Sequence, residues 1–96
     1  MSDGVDVAGR YSRTVVVTAA EGLHARPAAE LVKLASTLPA RTTVNGADAR
    51  SILSVLALGI TQGASLDIAG DDDEGGRAAV DALAELVASD FTRSGA

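Results

Sequence analysis

The sequence predicts an α+β fold: an open-faced two-layer sandwich of order β-α-β-β-α-β-α, with an antiparallel sheet covered on one side by helices. Three observations point there. The segment "ASLDIA" (64–69) alternates apolar and polar residues as a half-buried strand does. Three other segments carry their apolar residues on one face at helical spacing. Apolar residues make up 47% of the 96, yet only one Phe, one Tyr and no Trp are present. A core of Ala, Val and Leu suits thin helix-on-sheet layers better than a deep ligand cavity.

Each element has its own local signal. Residues 1–10 are rich in Gly and Asp without periodicity and read as a flexible N-terminal tail. "YSRTVVVTA", from Tyr11 to Ala19, is β-branched and bounded by a turn at Glu21-Gly22, so it reads as a strand. Ala28, Leu31, Val32 and Ala35 line one face of a helix from Ala25 to Leu38. Pro27 falls in its first turn, where a missing N–H is harmless, and Pro39 ends it.

"ARTTVNGADA" reads as a short hairpin, with Asn45-Gly46 supplying the positive φ angles of a two-residue turn. Ser51 opens a short helix, "SILSVLALGIT", as its N-cap, and Gly59 or Gly63 ends it. In the fourth strand Ala64, Leu66 and Ile68 share one face and Ser65 and Asp67 the other. The last helix runs from about Glu74 to Ser89, with Ala79, Val80, Leu83, Leu86 and Val87 inward. This organisation predicts one domain over 11–91, without repeats, and a C-terminal tail over 92–96.

Charge and composition exclude several classes. The net charge is −5 and no Lys/Arg-rich run occurs, which argues against nucleic-acid binding. With no cysteine and one histidine, a disulfide framework, a cysteine zinc site and a multi-histidine metal site are all excluded within one chain. The acidic residues Asp71, Asp72, Asp73 and Glu74 are contiguous rather than alternate, so helix capping explains them better than a cation site. No metal and no cofactor is expected. The start of the chain lacks a secretory pattern and no apolar run reaches membrane-spanning length, so the expectation is a soluble cytoplasmic protein without membrane insertion.

The single histidine, His24, sits in "EGLHARPAAELVKLAS" between a glycine turn and the start of the first helix. A lone histidine is often only a surface or capping residue, but its neighbours here suggest more. Gly22 permits a sharp turn and Leu23 can tuck into the core, which places His24 at the N-cap or the position before it. Free N–H groups of the first turn, at Ala25 and Arg26, then face whatever His24 carries. Arg26 adds a charged fork able to grip phosphate oxygens in two places. An imidazole that titrates near neutrality can attack a phosphoryl group. No phosphate-binding loop or nucleotide fingerprint accompanies it, so the site can hold a phosphoryl group without activating ATP.

"GLHARPA" (22–28) closely resembles the active-site signature of the HPr family, the histidine-containing phosphocarriers of the phosphoenolpyruvate-dependent sugar phosphotransferase system. "RSILSVLALGITQGASLDI" (50–68) resembles the family's second signature, around its regulatory serine and second helix. The resemblance spans Arg13 to Phe91 and implies the HPr fold, with a four-stranded sheet of order 1-4-2-3 and three helices on one face. It also implies a relay in which enzyme I phosphorylates His24 at Nδ1, Arg26 stabilises the phosphoryl group, and an enzyme IIA domain receives it.

By the same resemblance Ser51 matches the serine that an HPr kinase phosphorylates in some bacteria, although helix capping alone accounts for it. Ile52, Leu53 and Leu56 would form the apolar docking patch, with Ile52 and Leu53 the exposed pair. Lys33 and Ser36 are rim contacts or simply solvated helix residues. The hairpin is shorter than is typical of the family. That departure keeps a second subclass open, the HPr-like module of a phosphotransferase-dependent dihydroxyacetone kinase. A regulatory binding protein on the same fold is a third reading, against which intact His24 and Arg26 count. A free-standing carrier is expected to be a monomer that releases each partner quickly.

Overall fold

The computed structural model describes residues 9–91. The expected tails, 1–10 and 92–96, lie outside the described residues apart from Gly9, a turn residue whose carbonyl accepts from the Asp72 N–H, and Arg10, which opens the first strand. Strand β1 covers Arg10–Val16, helix α1 Ala25–Thr37, strand β2 Thr42–Val44 and strand β3 Ala47–Asp48. Helix α2 follows at Ile52–Ala57, then strand β4 at Ser65–Asp71 and helix α3 at Glu74–Ala88. The sheet order is β1-β4-β2-β3 and every pairing is antiparallel.

β4 is the central strand. It pairs with all of β1, from Val16 opposite Ser65 to Arg10 opposite Asp71, and on its other side with β2. Its alternation resolves as expected: Leu66 and Ile68 are fully buried, while Ser65 and Asp67 face solvent. β1 begins one residue before the expected start and ends at Val16 instead of Ala19. The ladder ends because β4 does. Val17 still exchanges hydrogen bonds with Ala64 and Gly63, but Gly63 has φ +90° and turns the partner chain away.

The hairpin turn is Asn45-Gly46, with φ angles of +48° and +85°, the pair that matches strand twist across two residues. Asn45 Oδ1 also accepts from the Asp67 N–H at 2.7 Å and so joins the turn to β4. α2 ends at Ala57, and Gly59, at φ +63°, donates back to the Leu56 carbonyl. Of the two candidate terminators, Gly59 ends the helix and Gly63 serves the entry to β4.

The helices bury the stripes their periodicity predicts. α1 buries Ala28, Leu31 and Ala35, with Val32 only half-buried. α3 buries Ala79, Val80, Leu83, Ala84, Leu86 and Val87 against β1 and β4. α2 lies against α1 and contributes Val55 to the same core. Arg50 ties this corner together: its Nη2 donates to the Leu38 carbonyl at 2.6 Å, capping the end of α1 from the approach to α2.

The acidic run behaves as helix chemistry. Asp73 caps α3, its Oδ1 accepting from the Gly76 N–H at 2.7 Å. Asp72 pairs with Arg77 at 2.8 Å and Asp71 with Arg10 at 3.6 Å. Their carboxylates are thus spread over three separate partners. Among the described residues no helix is long and apolar enough to cross a membrane.

Candidate functional site

The site is built on the turn from β1 into α1. The Gly22 N–H donates to the Ala19 carbonyl, closing the turn, and Gly22 itself has φ +69°. Leu23 is buried as expected, and its N–H donates to the Ile60 carbonyl at 3.0 Å. These contacts leave His24 as the N-cap of α1, in extended backbone geometry and with no side-chain capping bond. Its imidazole is therefore not spent on the helix.

The first turn of α1 then leaves its donors open. Pro27 has no N–H, and the Ala28 N–H already donates to the His24 carbonyl at 3.0 Å. The N–H groups of Ala25 and Arg26 remain for an anion, at the end of a helix whose dipole favours negative charge. Arg26 is exposed, and its guanidinium makes no ion pair or hydrogen bond with another described residue. By contrast Arg10 is engaged with Asp71 at the end of β4, Arg13 with Asp81 of α3, and Arg77 with Asp72 in the turn before α3.

Among the described residues His24 has one ion-pair neighbour, Glu21, which the sequence placed only in a turn. Glu21 Oε1 lies 3.7 Å from His24 Nε2. The Glu-x-x-His spacing was the available signal, but a turn of unknown geometry does not say whether the two side chains meet.

The second block of residues lies on α2 beside α1. Ser51 caps α2, its Oγ accepting from the Ser54 N–H at 3.2 Å. Leu53 is 78% exposed, the more open of the two exposed large apolar side chains among the described residues, the other being Val16. Ile52 differs from the expectation: it is half-buried against the core, as is Leu56. One helical residue step is a turn of about 100°, so with Val55 fully buried, Ile52 and Leu53 cannot both face solvent fully. Lys33 and Ser36 are exposed on α1. Lys33 stands nine residues beyond His24, about 13 Å along the helix axis at 1.5 Å per residue, which puts it at the margin of the site.

An exposed imidazole, two open N–H groups and an unpaired guanidinium can together receive and hold a dianionic phosphoryl group. Residues 11–89 match the family model described as the PTS HPr component phosphorylation site. The chain is 44% identical over 81 residues to the phosphocarrier protein HPr of Streptomyces coelicolor, covering 79% of this chain and 86% of that one. It is 39% identical over 82 residues to the HPr of Vibrio cholerae, covering 81% and 92% respectively. Among solved structures, HPr-C-His from Thermoanaerobacter tengcongensis superposes with a TM-score of 0.76 at 31% identity, over 86% of this chain and 97% of that one. With its signature, fold and sheet order all in agreement, the chain belongs to the HPr family of phosphocarriers of the phosphotransferase system.

Proposed function

We propose that this chain accepts a phosphoryl group from phosphorylated enzyme I on Nδ1 of His24 and passes it to enzyme IIA domains for sugar uptake in the cytoplasm. The observation that carries this reading is the placement of His24 as an N-cap whose imidazole is not used for capping. On acceptance, the Nδ1 lone pair forms the N–P bond while the bond from phosphorus to the donor breaks and its electron pair stays with the donor. Delivery reverses those roles. Such transfers need in-line positioning and charge neutralisation more than further functional groups. Ala25 and Arg26 supply both through two backbone N–H groups and the guanidinium fork.

Leu53 is the apolar contact that partners would cover first, with Ile52 and Leu56 at its edges and Lys33 and Ser36 on the rim. Ser51 is the candidate for regulatory phosphorylation by an HPr kinase. A phosphate there would add charge beside this docking surface and displace the present capping hydroxyl.

The brevity of β3, two residues, favours a second reading: delivery to a dihydroxyacetone kinase system, with the same chemistry at His24. Intact-protein mass after incubation with phosphoenolpyruvate, magnesium and enzyme I tests the shared step. One acid-labile phosphoryl group on the native protein and none on His24→Ala is the expected result. Absence of phosphorylation by an enzyme I active on another HPr would overturn the enzyme I assignment. Offering the loaded protein an enzyme IIA domain or a dihydroxyacetone kinase complex then separates the two deliveries.

A further inference from the structure

Among the described residues Glu21 is the ion-pair neighbour of His24 that phosphoryl transfer as described leaves without work. Its Oε1 lies 3.7 Å from Nε2, with the two side chains 78% and 44% exposed. That is longer than a hydrogen bond but within ion-pair range, and neither side chain is buried. The backbone between the two is held in place: Gly22 donates to Ala19, Leu23 donates to Ile60, and the Leu23 side chain is buried. The other ring nitrogen, Nδ1, has no partner among the described residues. An ionised carboxylate only accepts. Beside Nε2 it therefore favours the ring form with hydrogen on Nε2 and the lone pair on Nδ1.

We propose that Glu21 is a positioning residue for phosphoryl transfer. By accepting the Nε2–H of His24, it holds the ring in the tautomer whose Nδ1 lone pair attacks phosphorus. It also keeps that proton on Nε2 while Nδ1 carries the phosphoryl group. The proposal rests on the phosphocarrier reading above.

The atoms balance without any further acid or base. On loading, Nδ1 gains the N–P bond, and the ring, still protonated at Nε2, becomes a cation beside the Glu21 carboxylate. On delivery the N–P electron pair returns to Nδ1 and leaves a neutral ring, with the same proton still on Nε2. A cationic ring is the better leaving group, so a carboxylate that retains this proton keeps the loaded carrier ready to discharge. Glu21 meets the ring at Nε2, away from the nitrogen that bears phosphate, so its attraction for the Nε2–H acts at closer range than its repulsion of the phosphoryl group.

The test compares the full chain with Glu21→Ala and Glu21→Gln. Glu21 is exposed, so both variants should fold, and thermal melting checks that they do. Nitrogen-15 NMR of the His24 ring in alkaline buffer, with no enzyme present, reads the tautomer. The native ring should carry hydrogen mainly on Nε2, Glu21→Ala should show more hydrogen on Nδ1, and Glu21→Gln, whose amide oxygen still accepts, should fall between. The maximal rate of phosphoryl uptake from enzyme I should drop about two- to fivefold in Glu21→Ala, the size an exposed ion pair can supply, with little change in KM. Identical ring spectra in native protein and Glu21→Ala would overturn the proposal, as would a changed tautomer with an unchanged rate. If the native protein takes no phosphoryl group from an active enzyme I, the phosphocarrier reading fails instead, and the ring spectra report that failure separately from the Glu21 contact.

Discussion

The Leu23 amide donates to the Ile60 carbonyl at 3.0 Å, which fastens the turn carrying His24 to the turn that follows α2. The two turns approach so closely at Gly22 that a Cβ there would strike the Ile60 carbonyl oxygen and the Thr61 backbone. Gly22 also holds φ +69°, which costs an L-residue about 1–2 kcal/mol before any clash. Gly22→Ala should therefore lose more than about 2 kcal/mol of stability in urea unfolding, and its phosphoryl uptake should fall as the Leu23–Ile60 bond opens. A variant as stable as the native protein would show that the two turns are not rigidly joined.

Arg26 should separate function from stability. Its guanidinium has no described partner to lose, so Arg26→Ala should unfold within about 0.5 kcal/mol of the native protein. Phosphoryl uptake should fall roughly 10- to 100-fold, since a hydrogen bond to a charged group contributes about 1.5–3 kcal/mol. Arg26→Lys should recover only part of the rate, because an ammonium lacks the planar fork. Equal rates for all three proteins would remove Arg26 from the site.

Neighbouring apolar residues of α2 should behave oppositely. Leu53 is 78% exposed, so Leu53→Ala should leave the melting temperature nearly unchanged while raising the KM for enzyme I. Val55 is fully buried two residues on, and Val55→Ala should cost roughly 1.5–3 kcal/mol with partner binding little affected in the folded fraction. Calorimetry of binding and thermal melts on the two variants would expose any exchange of these roles.

Tyr11 predicts an alkaline limit to stability. Its hydroxyl donates to Asp81 Oδ1 at 2.8 Å, joining β1 to α3. That hydrogen bond, followed by loss of hydration and the carboxylate charge, raises the phenol above its ordinary 10.0. A folded value above the unfolded one means the unfolded chain gives up the proton first as pH rises. The stabilisation is complete below about pH 10 and is lost as pH climbs through the folded value. Melting temperatures measured from pH 9 to 11 should fall more steeply in the native protein than in Tyr11→Phe. Parallel curves would mean the phenol titrates alike in both states.

The elements were legible because each carries its own local cause. Alternation around Leu66 and Ile68 marks β4, Asn45-Gly46 marks the hairpin, and Ser51 and Asp73 mark helix starts that their side chains do cap. Gly22, Leu23 and Pro27 put His24 at the N-cap or the position before it, and the structure makes it the N-cap. Less legible was the end of β1. Its β-branched residues favour strand past Val16, but the partner strand runs out at Ser65.

By itself, then, the sequence determined the order and approximate extent of the elements, which face of each is apolar, and that the lone histidine stands at a helix start or one residue before it. These depend on backbone preference and on periodicity over a few residues. Only the tertiary structure decided that β1 stops at Val16, that Leu53 stays open while Ile52 is half-buried against the core, and that Glu21 Oε1 comes within 3.7 Å of His24 Nε2. Those relationships depend on which surfaces meet across long stretches of chain and on side-chain torsions chosen by packing, and neither is written in the spacing of residues along one element.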